Sequence, residues 1–237
     1  MSFAREQRSK ITRYFRAFER TKIYDLVTAS PVVAWYGISE YQQFSILAAQ
    51  ITARPPADLD AVFVVGILSQ IVSLIFIPVV SVMILLRHVP IAKTSGLFPR
   101  IAAVAGAYIG VFIVLQPPQQ LPIAVHFISV LLILGGVSFA LYSIVTLGRS
   151  ISLVPEARRL VMGGPYAVIR HPIYLGEALA LSGITLEHLT RWSLLIFTLQ
   201  CVFQFVRMTK EEQVLLGAFP EYKNYMNHTK RLLPGLY

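Results

Sequence analysis

Charge is scarce in this chain. Only 14% of its 237 residues are Asp, Glu, Lys or Arg, against about a quarter in an ordinary soluble domain. Acidic residues are the scarcer sign, with 12 Asp and Glu against 21 Lys and Arg. Cysteine is nearly absent, and the lone Cys201 excludes an internal disulfide, a four-cysteine zinc site and an iron–sulfur cluster. Its place in an apolar run reads as that of a small buried residue. The first 22 residues hold seven basic and two acidic residues without a continuous apolar core, so they do not read as a secretory signal. Internal repeats, low-complexity tracts and long linkers are missing too, which leaves no sign of independently folded domains.

What is present is apolar. Hydrophobic residues make up 55% of the chain, and the mean hydropathy is +0.63. A net charge of +9 in a soluble protein would suggest nucleic acid, but here the basic residues flank apolar runs, where they orient helices in a bilayer. No nucleic-acid partner is expected. Six apolar stretches are readable: Leu26 to Ile51, broken by Pro31 and Glu40; Ala61 to Leu86, with Pro78 as a kink; Ile101 to Leu115; Leu121 to Leu147; Pro172 to Leu186; and Trp192 to Val206. The second is 26 residues long, enough for a core about 30 Å thick at about 1.5 Å per residue. Gly106 and Gly110 have the GxxxG spacing that lets a neighbouring helix come close. The last two stretches read as a tight hairpin that does not reach fully across.

The loops carry the orientation. Arg87, Lys93 and Arg100 lie in one connection, and Arg149, Arg158, Arg159 and Arg170 in another, whereas the connections 52–60 and 116–120 are poor in basic residues. Counting Lys and Arg places both termini and both basic loops on the cytoplasmic side after about six crossings. In residues 1–22, Ile11, Tyr14, Phe15 and Phe18 recur at helical spacing between arginines, the pattern of a basic amphipathic helix on an anionic leaflet. A positive tail that only sets topology fits the same residues. The expected fold is an all-α polytopic membrane bundle, divided into an arm over 1–22, transmembrane helices over 23–146 and a catalytic region over 147–237.

Chemistry concentrates in that last region. The run Gly163-Gly164-Pro165-Tyr166-Ala167-Val168-Ile169-Arg170-His171-Pro172-Ile173-Tyr174-Leu175-Gly176-Glu177 leads directly into the fifth apolar stretch. Pro172 suits the first position of a helix, because its missing N–H has no partner there anyway, and His171 then falls at the cap. Free N–H groups behind it favour an anionic group. Tyr174 adds an aromatic face, and Gly176 leaves room for a ligand to approach the backbone. The second cluster is Lys210-Glu211-Glu212. Adjacent carboxylates differ by about 100° around a helix, so one faces the bundle and the other water. Glu211, four residues after Arg207, reads as a surface ion pair, which makes Glu212 the site candidate. Phe219, Tyr222, Tyr225 and Met226 form an apolar edge in a tail that either caps a pocket or rests at the interface. His126 reads as a helix-packing residue; His88, His188 and His228 read as interface residues. No set of side chains suggests a metal site.

Together, the GPY and RHPxYxG segment, the short apolar hairpin, the Glu-Glu pair and the Tyr222, Tyr225, Arg231-Leu232-Leu233-Pro234 tail resemble the isoprenylcysteine carboxyl methyltransferase family, which is related to the phospholipid methyltransferases. Leu147-Gly148-Arg149 fits as well, so the resemblance covers about residues 147–237. Ala218-Phe219-Pro220 departs from it, where the family more often has a Phe-Gly step, and implies a changed turn without loss of activity. The resemblance implies an integral-membrane enzyme that uses S-adenosylmethionine without a Rossmann fold, consistent with the absence of a GxGxxG after any strand-like run. It implies that His171, Pro172, Tyr174, Gly176, Glu211 and Glu212 hold the cofactor and that Gly164 and Tyr166 shape the loop over it. Arg170 would hold a substrate carboxylate, and Glu177 would take a proton from an amine acceptor. Implied partners are membrane lipids and a lipid-like or prenylated substrate, with carboxyl O-methylation leading. Phospholipid N-methylation, an NADPH-dependent reductase of the steroid-reductase type and a non-catalytic pocket are the alternatives.

Overall fold

The computed structural model describes residues 21–53 and 60–234. The amphipathic reading of the arm falls almost wholly outside those residues. Each of the six apolar stretches is helical: α1 Lys22–Ala53, α2 Ala61–Leu86, α3 Phe98–Tyr108 with the short α4 Val111–Val114, α5 Ile123–Leu147, α6 Pro172–Glu187 and α7 Arg191–Ala218. A last helix, α8 Tyr222–His228, follows. The only paired strands among the described residues are β1 Ala92–Lys93 and β2 Glu156–Ala157, antiparallel, which tie the two basic loops together.

Local sequence accounts for the helix ends. The Asp60 carboxylate accepts from the Phe63 N–H at 2.7 Å and caps α2, Thr190 caps α7 through the Ser193 N–H, and Pro172 opens α6 behind His171. Pro31 and Pro78 lie inside continuous helices. Among the described residues, three helical segments are long and apolar enough to cross a membrane: Phe63–Leu86, Ile123–Ser150 and Arg191–Ala218. α7 runs far beyond Val206, where the sixth stretch was expected to end. Gln200, Gln204, Arg207 and Glu212 are buried along its inward face. Cys201 is exposed, where the sequence suggested burial.

α5 and α6 form the closest pair. They are antiparallel along a seam of small residues, with Ser129 donating to the Gly183 carbonyl at 2.9 Å. A Cβ on Gly136 would lie 2.4 Å from the Ala180 nitrogen, and one on Gly176 would lie 2.7 Å from the Gly136 carbonyl oxygen. Gly176 therefore serves helix packing, where the sequence suggested room for a ligand. The GxxxG glycines are used as expected: Gly106 abuts Phe203 on α7 and Gly110 abuts Leu181 on α6. At the far end of the seam, His126 Nδ1 meets a Glu187 oxygen at 2.7 Å.

The near end gathers the basic loops. Asp25, 5% exposed, accepts from Arg87 Nε at 2.9 Å and Arg158 Nη2 at 3.0 Å, and Arg158 also donates to Glu156 at 2.6 Å. One carboxylate thus joins the start of α1, the end of α2 and the loop after α5. Burial opposes its ionisation, but the hydrogen bonds from Arg87 and Arg158 outweigh burial and hold its pKa below the ordinary value. Asp25 should therefore stabilise the fold fully above about pH 4, with the contribution lost as pH falls through the depressed folded value. Asp25→Ala leaves two buried guanidinium groups short of a partner and should cost about 3 kcal/mol or more. Thermal unfolding in detergent at pH 7 tests this, and an unchanged Tm would remove the cluster from the stability account.

Candidate active site

The loop before α6 and the end of α7 meet at the near end. Gly164 takes a left-handed φ of +59° and opens a one-turn 3-10 segment, Gly164–Ala167, that turns Tyr166 inward. A Cβ at Gly164 would also press on Thr146 at 3.0 Å. Tyr166, 7% exposed, lines a cavity together with His171, Tyr174, Glu177, Arg207 and Glu211. Tyr36 of α1 and Phe76, Val80 and Ile84 of α2 line the same cavity, so the amino-terminal helices supply its apolar wall.

Two polar systems border this space, linked through His171, whose Nδ1 lies 3.9 Å from Glu211. In the first, Tyr174 donates to Glu211, Arg207 Nε lies 3.4 Å from the same carboxylate, and the Arg207 guanidinium sits 5.0 Å from the Tyr174 ring centre. The Arg207–Glu211 pair anticipated on the surface exists, but it faces inward. In the second, Glu212, 3% exposed, meets three cationic or imidazole groups. Arg170 Nε donates to it at 2.8 Å, His171 Nε2 lies 3.1 Å away, and Arg231 donates to both of its oxygens. Glu212 is buried where α8 and the tail fold back over the end of α7, and Glu211, partly exposed, turns to the cavity and away from the outer surface expected for it. Glu211 lines the cavity and Glu212 does not.

The tail is bound to the loop by backbone as well. The Arg170 N–H donates to the Lys230 carbonyl at 2.8 Å and the His171 N–H to the Arg231 carbonyl at 3.1 Å. Arg170 also donates to the Met226 and Thr229 carbonyls, so its guanidinium is engaged with the tail as well as lining the cavity. Tyr225 donates to the Tyr166 carbonyl at 2.5 Å. Burial pushes its own phenol up to about 12, so it stays a neutral donor at physiological pH. Of the two roles open to the tail, the geometry is that of a cap.

Of the residues singled out from sequence, Tyr166, Arg170, His171, Tyr174, Glu177 and Glu211 line the cavity. Gly164, Pro172, Gly176 and Glu212 surround it as turn, helix start, packing contact and tail anchor. Sequence reading missed Arg207 and Gln204. Both are about 7% exposed, and Gln204 donates to Glu177 at 2.6 Å. The available signal was the stripe Gln200, Gln204, Arg207, Glu211 at helical spacing through an apolar helix, since membrane helices keep such residues for interior use. Among the described residues no group of three or more His, Cys, Asp or Glu side chains is placed to hold a metal.

Unpaired polar atoms show what the cavity asks of a ligand. Tyr166 Oη and Arg158 Nε are buried without a hydrogen-bond partner, and Arg207 Nε has only its 3.4 Å ion-pair contact with Glu211. All three can donate, so the cavity suits a group that accepts.

Residues 124–221 match the phospholipid methyltransferase family. The cobalt-zinc-cadmium resistance protein CzcN of Cupriavidus metallidurans is 33% identical over 79 residues, which is 32% of this chain and 36% of that protein. The chain thus spans about a third of the length of the curated relative it matches.

Proposed function

We propose, from the premise that residues 124–221 belong to the phospholipid methyltransferase family within the isoprenylcysteine carboxyl methyltransferase-like group of membrane methyltransferases, that this protein transfers a methyl group from S-adenosylmethionine to a lipid-like acceptor. The observation carrying the reading is the cavity itself. It pairs a zwitterion-matching end, Arg207 with Glu211, with tyrosines and an apolar wall, and its buried donors without a hydrogen-bond partner, Tyr166 Oη among them, suit the cofactor's carboxylate and ring or ribose acceptors. When bound, S-adenosylmethionine supplies an electrophilic methyl group on a sulfonium.

The chain's own residues do the rest. Arg207 offers its guanidinium to a carboxylate and Glu211 its charge to an ammonium. His171, Tyr174 and Tyr166 shape the wall, and the tail held by Arg170, Glu212 and Arg231 keeps water out. Methyl transfer is an in-line displacement, so positioning supplies most of the acceleration, and water exclusion strengthens the electrostatics. A carboxylate acceptor, the leading class from sequence, needs no base. Glu177 bordering the cavity supports the second class, an amine, because it can take the proton that an N–H nucleophile must lose. We further propose six crossings, with both termini and the site on the cytoplasmic face. Residues 147–237 then form the catalytic region, and 23–146 supply the wall.

Supplying methyl-labelled S-adenosylmethionine with lipid extract and a prenylcysteine tests the reaction. Alkali-labile label released as methanol means a methyl ester; stable label in phospholipid means an amine. Tight NADPH binding with no response to S-adenosylmethionine would replace the reading by the reductase. Tyr166→Phe separates binding from folding: its hydroxyl has no protein partner, so Tm should hold, whereas cofactor Kd should rise about tenfold for one lost hydrogen bond. An unchanged Kd removes Tyr166 from the cofactor site.

A further inference from the structure

A second cavity lies beside the Asp25 cluster, where the start of α1, the end of α2, β1 and the start of α3 come together. Ile84, Leu153 and Glu156 line both this cavity and the one described above, so the two share a wall. Ala29, Val32, Ile84 and Leu153 give it an apolar side, and Arg87, Lys93 and Arg100 a cationic one.

Cations outnumber acids here. Asp25 is committed to Arg87 and Arg158, and Glu156 to Arg158 and Ser152. Lys93 Nζ comes no nearer to Glu156 than 3.9 Å, beyond hydrogen-bond range, and lies 5.3 Å from the Tyr24 ring centre. Arg100 is exposed and, among the described residues, has neither an ion pair nor a side-chain hydrogen bond. It stands in the first turn of α3, the helix end at which a cation is disfavoured, and no acidic residue shares that turn. Nothing in the fold balances this charge, so an anion held between Lys93 and Arg100 would. The surroundings are interfacial: the membrane-length segment Phe63–Leu86 ends just before Arg87, and Ile91, Leu97 and Phe98 nearby are exposed apolar side chains. Basic residues flanked by exposed apolar ones at the end of a spanning helix meet lipid headgroups.

We propose that this cavity binds the phosphodiester headgroup of an anionic phospholipid of the near leaflet, with Lys93 and Arg100 on the phosphate and the first acyl carbons over Val32 and Leu153. The lipid is not the methyl acceptor, because the wall of Ile84, Leu153 and Glu156 separates it from the other cavity. The site stands or falls without the methyltransferase reading.

Lys93 reports on the site directly. The full-length protein in nanodiscs of phosphatidylcholine, with and without phosphatidylglycerol, is treated with trace acetic anhydride, and the acetylation rate of each lysine is read by mass spectrometry. Phosphatidylglycerol at ten times its Kd should slow Lys93 about tenfold, while Lys210 and Lys223, at the same end of the bundle, change little. Equal slowing of all three lysines would mean attraction to surface charge alone and overturns the site, as does an unchanged Lys93 rate. Inorganic phosphate protecting Lys93 equally well in phosphatidylcholine discs overturns the lipid in favour of a free anion. Native mass spectrometry in detergent supplies the second measurement. Arg100→Gln should weaken retention of one phosphatidylglycerol about tenfold, for one lost charge-assisted hydrogen bond, whereas Lys223→Gln, which removes the same charge, leaves it unchanged. Equal loss in both variants overturns the assignment, and the lysine comparison needs no variant should Arg100→Gln fail to fold.

Discussion

Glu212→Ala is expected to abolish S-adenosylmethionine binding while the helical bundle stays folded. Glu212 is the common partner of Arg170, His171 and Arg231, and removing it leaves three donors buried against one another. Removing one member of a buried charged network typically costs about 3–5 kcal/mol. Here the loss falls on the tail, because Arg231 and the backbone bonds at residues 170 and 171 are what hold it over the cavity. If that local energy is lost to closure, cofactor affinity drops by about two to three orders of magnitude. Calorimetry on the detergent-solubilised variant measures the affinity, and limited proteolysis near residues 229–232 measures release of the tail. Unchanged affinity would falsify the assignment of Glu212 to the binding apparatus. Tail release with normal affinity would leave Glu212 a structural anchor only.

Gly136→Ala is expected to destabilise the fold strongly. The added Cβ would meet backbone atoms of α6 at 2.4 Å and 2.6 Å, and backbone within a helix cannot swing aside as a side-chain tip can. Overpacking in cores usually costs about 1–3 kcal/mol, occasionally more, and this position belongs at or above the top of that range. The neighbouring Gly135 is the control, because its Cβ would meet nothing within 4 Å, and Gly135→Ala should leave Tm unchanged or raised. The comparison is thermal unfolding of the two variants under one detergent condition. Similar Tm values for both would mean that α5 and α6 separate more easily than their seam implies. Because His171, Tyr174 and Glu177 ride on the start of α6, spreading this pair should also weaken cofactor binding.

Much of the architecture was legible in advance. Six apolar stretches became helices because the bilayer-scale runs, Pro172 as a helix opener and the charge-poor interiors are all local properties. The GxxxG pair was readable for the same reason, as was the gathering of basic residues in two loops, which the structure brings to one end of the bundle. The site was half legible. The loop and the Glu-Glu pair announced themselves by residue type, yet their division of labour did not: Glu211 and Glu212 are adjacent, and only the fold-back of α8 over α7 turns one to the cavity and the other to the tail. Gly176 illustrates the opposite error. A glycine beside a ligand loop and a glycine under a crossing helix look alike in sequence, and Gly136 lies forty residues away. Arg207 looked like half of a surface pair because periodicity within one helix does not reveal which face its neighbours cover.

By itself, then, the sequence determined that the chain is an apolar, basic, all-α membrane protein with its candidate site motifs in the last 90 or so residues, since hydropathy, helix capping and charge placement act within a few residues of each other. Only the tertiary structure decided which of those residues share a cavity, that Glu212 spends its charge on the tail, and that Gln204 donates to Glu177. Those facts depend on groups far apart in the chain that meet only when α5, α6, α7 and the tail have packed. A buried polar atom's partner, or its lack of one, is a property of that packing.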